Sequence, residues 1–169
     1  MEQSIKLMLL GDGASGKTSW VHRLKTNEFL SAYIPTLGVE VSEYTYNSTR
    51  GEIIFKIWDM AGQERFGGLR EGYFIGANAG IVFFDISSHH THAGISNWKR
   101  DLIRTAGDIP LIVVANKTDM AHYNQYSETY IEMSLLNGTG IFDPLEAISK
   151  LLPSYYFSHL QNFSDFFKD

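Results

Sequence analysis

The chain has 169 residues, 44% hydrophobic and 20% charged, with no cysteine and a net charge of −5. Those values fit one domain with one core, and they exclude a disordered or fibrous chain, a disulfide framework and a thiolate metal site. No Lys/Arg run marks a nucleic-acid footprint, no lipid-anchor or leader pattern is present, and no apolar run reaches the ~20 residues that span a bilayer, so a soluble protein inside a cell, without nucleic acid or a membrane anchor, is expected.

Residues 5–10 form a short apolar run that stops at Gly11 and reads as a strand. GDGASGKT follows at 11–18, and a helix is predicted over 17–27. Residues 39–46 read as one antiparallel edge strand that turns at NSTRG (47–51) into EIIFKIWD (52–59). The runs AGIVFFD (79–85) and LIVVAN (111–116) repeat the apolar design, with helices predicted over 68–75, 95–105 and 143–152. Continuous apolar strands alternating with helices imply a mostly parallel sheet covered on both faces, with ligands taken at the carboxyl ends of the strands. HHTH (89–92) is expected to be a surface loop after the fourth strand rather than a metal site, since no further ligand accompanies it.

The segment 11–18 fits G-x-x-x-x-G-K-[ST] in the strand–loop–helix context that this motif requires. Its glycines let main-chain N–H groups turn inward onto phosphate oxygens, and the helix start adds partial positive charge. The cradle as read here comprises Gly11, Asp12, Gly13, Ala14, Ser15, Gly16, Lys17, Thr18 and Ser19. Lys17 is expected to reach the β- and γ-phosphates and Thr18 to ligate Mg²⁺. Asp59, at the end of WD, suits the facing acid of a metal site; Gly62 can approach a γ-phosphate, and Gln63 can orient an attacking water. Asn116, Lys117 and Asp119 stand in NKTD directly after the fifth strand. A carboxylate at Asp119 can accept from guanine N1–H and the 2-amino group, which adenine cannot match, so GTP and GDP are expected over ATP.

Together these residues resemble the small GTPases of the Ras superfamily, and most closely its Ran branch. The likeness covers nearly all of 4–119, including TLGVEV (36–41), TRGEIIFKIWD (49–59), GQERFGGLREGYF (62–74, read with Gly62) and NWKRDLIR (97–104). It implies that Thr36 binds Mg²⁺ in the GTP state, that Phe29 packs across guanine, that Tyr33 covers the phosphates, and that Gly13 faces the γ-phosphate. Switch I would lie near 33–38 and switch II near 59–70. Met60 replaces the threonine common in the family. Ser134, Leu135 and Leu136 stand where the family has Ser-Ala-Lys beside guanine; Ser134 and Leu135 are still expected to contact the base through their main chain. Only residues 120–133 separate Asp119 from Ser134, so the helix between the fifth and sixth strands is expected to be missing, and with it a basic patch; no counterpart of Ran's acidic tail is expected either.

The expected fold is therefore α/β, a P-loop NTPase arrangement: a six-stranded, mostly parallel sheet with one antiparallel edge strand, flanked by helices. Residues 1–153 would be the GTPase domain. Residues 154–169 would be an aromatic helical segment, with Tyr156, Leu160, Phe163 and Phe167 packed on the domain over the surface that the missing helix bares. The resemblance implies a monomeric, cytoplasmic and nuclear switch that hydrolyses GTP slowly, with Gln63, Lys17 and Gly62 as catalytic groups and an exchange factor, an activating protein and importin-type receptors as partners. The rival reading is a nucleotide-bound decoy that competes for Ran's partners with little turnover. An ATP-using kinase is disfavoured by Asp119.

Overall fold

The structure is a computed structural model; it describes residues 4–30, 36, 38–60, 67–120 and 126–157, with the backbone alone described at 67–70. Six strands form one sheet in the order β2-β3-β1-β4-β5-β6: β1 (Ser4–Leu10), β2 (Val39–Ser48), β3 (Gly51–Met60), β4 (Ala79–Asp85), β5 (Leu111–Asn116) and β6 (Ile131–Glu132). All neighbours pair in parallel except β2 with β3. The α/β class and the antiparallel edge strand follow the sequence pattern. The β2–β3 ladder runs further than expected, from Val39↔Met60 to Ser48↔Gly51, because Thr49 and Arg50 alone make the turn.

Successive strand residues point to opposite faces, and apolar side chains on both sides let the sheet build two cores. Ile5, Leu7 and Leu9 face the cluster beneath α1 (Lys17–Thr26) and α5 (Asp143–Leu151), which add Trp20, Leu24, Leu145 and Ile148. Met8 and Leu10 face the other cluster, covered by α2 (Gly67–Phe74), α3 (His89–Ala93) and α4 (Ile95–Ala106) through Phe74, Ile95, Trp98 and Leu102. In β4, Phe83 and Phe84 are both fully buried, one on each face, and each contributes about 2–3 kcal/mol by leaving water.

HHTH is not a loop. It forms the single turn of α3, because the Ser88 hydroxyl caps it by accepting from Thr91 N–H and the Thr91 side chain is buried. Among the described residues, no helix lies between β5 and β6. In the described part of the crossover, Tyr126 and Tyr130 set their rings edge-on against Phe84, with centroids 5.5 and 5.6 Å away. His92 of α3 stacks on Tyr126 at 3.7 Å and pairs with Glu128. Tyr126 and Tyr130 therefore cover part of the face over Phe84. Ser154–Phe157 form a 3-10 turn whose Phe157 is buried in the α1/α5 cluster; Leu160, Phe163 and Phe167 lie outside the described residues.

The β2–β3 turn is fastened to α5. The Glu146 carboxylate accepts from the Tyr46 hydroxyl at 3.0 Å and from the main chain and hydroxyl of Thr49. Arg50 Nη1 donates to the carbonyls of Ser149 (2.8 Å) and Leu152 (2.6 Å), ending α5, and its guanidinium lies 4.2 Å from the Phe157 ring centre.

Candidate nucleotide-binding site

The carboxyl ends of β1, β3, β4 and β5 bring the motif residues to one rim of the sheet. The phosphate loop leaves β1 at Gly11, whose φ of 135° and position leave no room for a side chain: an added Cβ would lie 2.3 Å from the Phe83 carbonyl oxygen. Gly16 is at φ 106°, and a Cβ there would lie 2.1 Å from Asn116 Nδ2. Ala14, at φ 62°, holds a left-handed conformation despite its methyl group, at a cost of about 1 kcal/mol. Gly13 and Ser19 are half-buried beside this loop, and Ser15 is fully buried.

Lys17 is turned into the loop. Its ammonium donates to the carbonyls of Gly11 (2.6 Å) and Asp12 (3.1 Å) and to Ser15 Oγ (3.4 Å). Burial pulls its pKa down to about 8, against the attraction of Asp59 and Asp12. At the head of α1, the Thr18 hydroxyl donates to Asp59 Oδ2 at 2.6 Å and meets Thr36 Oγ1 at 2.5 Å. Burial raises the Asp59 carboxyl above its usual range, with the Thr18 hydrogen bond and the Lys17 charge opposing it. Asp59 Oδ1 is buried and has no hydrogen-bond partner among the described residues. A pair of hydroxyls around a carboxylate with a spare lone pair is an all-oxygen donor set, and it fits a hard divalent cation such as Mg²⁺.

The base loop is built against this cradle. Asn116 Nδ2 donates to the Ser15 carbonyl at 3.2 Å, so β5 braces the phosphate loop from behind. Lys117 sits at φ 67° and its ammonium donates to Asp85 Oδ2 at 2.8 Å. Burial works against the Asp85 charge, but the hydrogen bonds from Lys117 and Ser87 outweigh it and hold the carboxyl below its usual range. The Ser134 hydroxyl, itself buried, donates to Asp119 Oδ1 at 2.7 Å and accepts from Asn137 N–H. Asp119 is thus aimed by a hydrogen bond at one oxygen and is itself exposed. Leu135 is buried toward Gly16 and Leu136 is exposed. Phe29 lies just beyond the end of α1 with 42% of its surface exposed.

The structure therefore draws Gly11 to Thr18, Thr36, Asp59, Asn116, Lys117, Asp119, Ser134 and Leu135 into one site. Tyr33, Gly62 and Gln63 lie outside the described residues. Two contributors escaped the sequence reading. Asp85 holds Lys117, and its only signal was its place at the end of a strand, shared with Asp59. Trp98 donates to the Asp12 carboxylate from α4, and nothing in the sequence links those positions.

A sequence model of the Ras family matches residues 6–139, which takes in the phosphate loop, Asp59, NKTD and the Ser134 turn. Members of that family bind GTP and GDP with Mg²⁺ and answer to exchange factors and activating proteins. With a match over most of its length and a site of this geometry, the chain belongs to the Ras family of small GTPases.

Proposed function

We propose that the chain is a GTP-hydrolysing switch of the Ran type, passing between GTP and GDP forms under an exchange factor and an activating protein and working in the cytoplasm and nucleus on importin-type receptors. One observation carries the chemistry: Thr18, Thr36 and Asp59 converge within 2.5–2.6 Å beside the phosphate loop, with Asp59 Oδ1 left over. Mg²⁺ held there would neutralise charge on the β- and γ-phosphate oxygens. Thr36 belongs to the segment read as switch I, so a GTP-dependent bond at its hydroxyl would order that segment. Lys17 would exchange its carbonyl partners for phosphate oxygens. Asp119, oriented by Ser134, would select guanine. Roles for Gln63 as the water-orienting group and Gly62 as the γ-phosphate sensor rest on the sequence alone, as does the Ran-type partner set, which follows TLGVEV and GQERFGGLREGYF.

The test begins with the nucleotide that the purified protein carries, released by denaturation and identified by chromatography and mass; guanine nucleotide is expected. Asp119→Asn should then move preference from GTP to XTP, because an amide donates to the xanthine 2-oxo group and mismatches guanine. Unchanged GTP affinity with no gain for XTP would overturn the base-site reading. For the receptors, binding of the GTP-loaded but not the GDP-loaded protein to an importin-type receptor is expected, and binding in neither state would remove the Ran-type assignment.

A further inference from the structure

We propose that Asp12 is a positioning residue of the phosphate loop, held by the indole of Trp98, and that this bond sets how long nucleotide is retained. The proposal rests on the reading of 11–18 as a nucleotide cradle. A carboxylate in an anion-binding loop opposes its ligand unless it is turned away and compensated. Asp12 is both. The residue is 7% exposed, although Ala14 two positions on is exposed. Trp98 Nε1 donates to its Oδ1 at 2.9 Å, and His90 Nε2, on an exposed ring, lies 3.7 Å from Oδ2. Gly94, at the α3–α4 junction, makes the space: a Cβ there would come within 2.8–2.9 Å of both carboxylate oxygens.

The main chain of the same residue accepts from Lys17 Nζ at 3.1 Å and from Ser15 N–H at 3.3 Å. Asp12 therefore joins the lysine and the loop turn to α4, whose Trp98 is 3% exposed and packed in one cluster with Phe74 and Leu102. Once a phosphate draws Lys17 away from the carbonyls, the side-chain bond to Trp98 remains to hold this end of the loop. Without it the buried carboxylate loses the indole donor at Oδ1, with only the more distant and exposed His90 ring beside Oδ2, and the loop must be ordered by the ligand.

The experiment measures release of fluorescently labelled GDP from the full chain for Asp12→Ala, Asp12→Asn, Trp98→Phe and the double variant Asp12→Ala/Trp98→Phe. Asp12→Ala and Trp98→Phe should each quicken release by about tenfold, the double variant no more than either alone, and Asp12→Asn, which keeps an acceptor, by less than about threefold. Multiplying effects in the double variant would place the role of Trp98 in core packing and overturn the proposal, as would wild-type release rates in both single variants. Where Trp98→Phe does not fold, equal release from Asp12→Ala and Asp12→Asn overturns it. Absence of guanine-nucleotide binding by the wild type is a separate result, which sinks the cradle reading before any variant is made.

Discussion

Lys17 carries an ammonium group into a place where 5% of its surface meets solvent, and there it donates to main-chain carbonyls and a hydroxyl, with the charges of Asp59 and Asp12 only partly offsetting its burial. Its pKa of about 8 lies below the ~10.4 of an unfolded lysine, so across pH 8–10 the unfolded chain binds more protons than the nucleotide-free fold. The nucleotide-free protein should then gain stability as pH rises through that window, by up to about 3 kcal/mol. Phosphate restores the charged amine, so GDP binding at pH 9 should take up close to one proton. Calorimetry in buffers of different ionisation heat measures this, and zero uptake would contradict it. At this scale the sequence was most legible where chemistry fixes both residue type and spacing, as in Gly11, Gly16, Lys17, Thr18 and NKTD. The bonds Asp12–Trp98 and Lys117–Asp85 were not legible, because each joins positions far apart in the chain that only the fold brings together.

Among the elements, the β5–β6 crossover departs furthest from expectation. That no helix lies among its described residues fits the short spacing between NKTD and Ser134. What covers the sheet there could not be read from the sequence, since Tyr126 and Tyr130 acquire meaning only once β4 lays Phe84 beneath them. The ring of Tyr126 touches both Phe84 and His92, so Tyr126→Ala should destabilise the protein by about 2 kcal/mol, while Tyr126→Phe, which keeps the ring stack, should cost less than half as much. Urea denaturation of both variants checks this; equal losses would assign the effect to the hydroxyl. The same element scale shows why HHTH was misread: histidine has modest helix propensity, and the decisive signals are the cap Ser88 and the buried Thr91.

The described fold is two cores separated by one sheet, with the antiparallel hairpin β2–β3 at the edge tied to α5 by Glu146 of the helix and Arg50 of the turn. Periodicity revealed the strands and most helices, because alternating and continuous apolar runs reflect burial directly. The clamp between hairpin and α5 was invisible, being made of polar residues whose exposure in the sequence looks ordinary. Arg50 closes two carbonyls at the end of α5 and caps Phe157, so Arg50→Ala should lower global stability by about 1–2 kcal/mol. A loss below 0.5 kcal/mol in equilibrium denaturation would show that the hairpin stands without the clamp.

The sheet is not equally strong along its width. β6 is two residues long and joins β5 through Val114↔Ile131 and Ala115↔Glu132, while β2 and β3 are paired over ten residues each. The seam that opens most cheaply therefore runs beside Met133 and Ser134, directly behind Asp119. Opening there would release the carboxylate's orientation while the phosphate loop, braced by Asn116 on the sturdy side of β5, stayed formed. Departure of a nucleotide would then begin at its base and finish at its phosphates. Amide exchange reads the order: Met133 N–H should exchange well before Val113 N–H, and equal protection of the two would deny the seam.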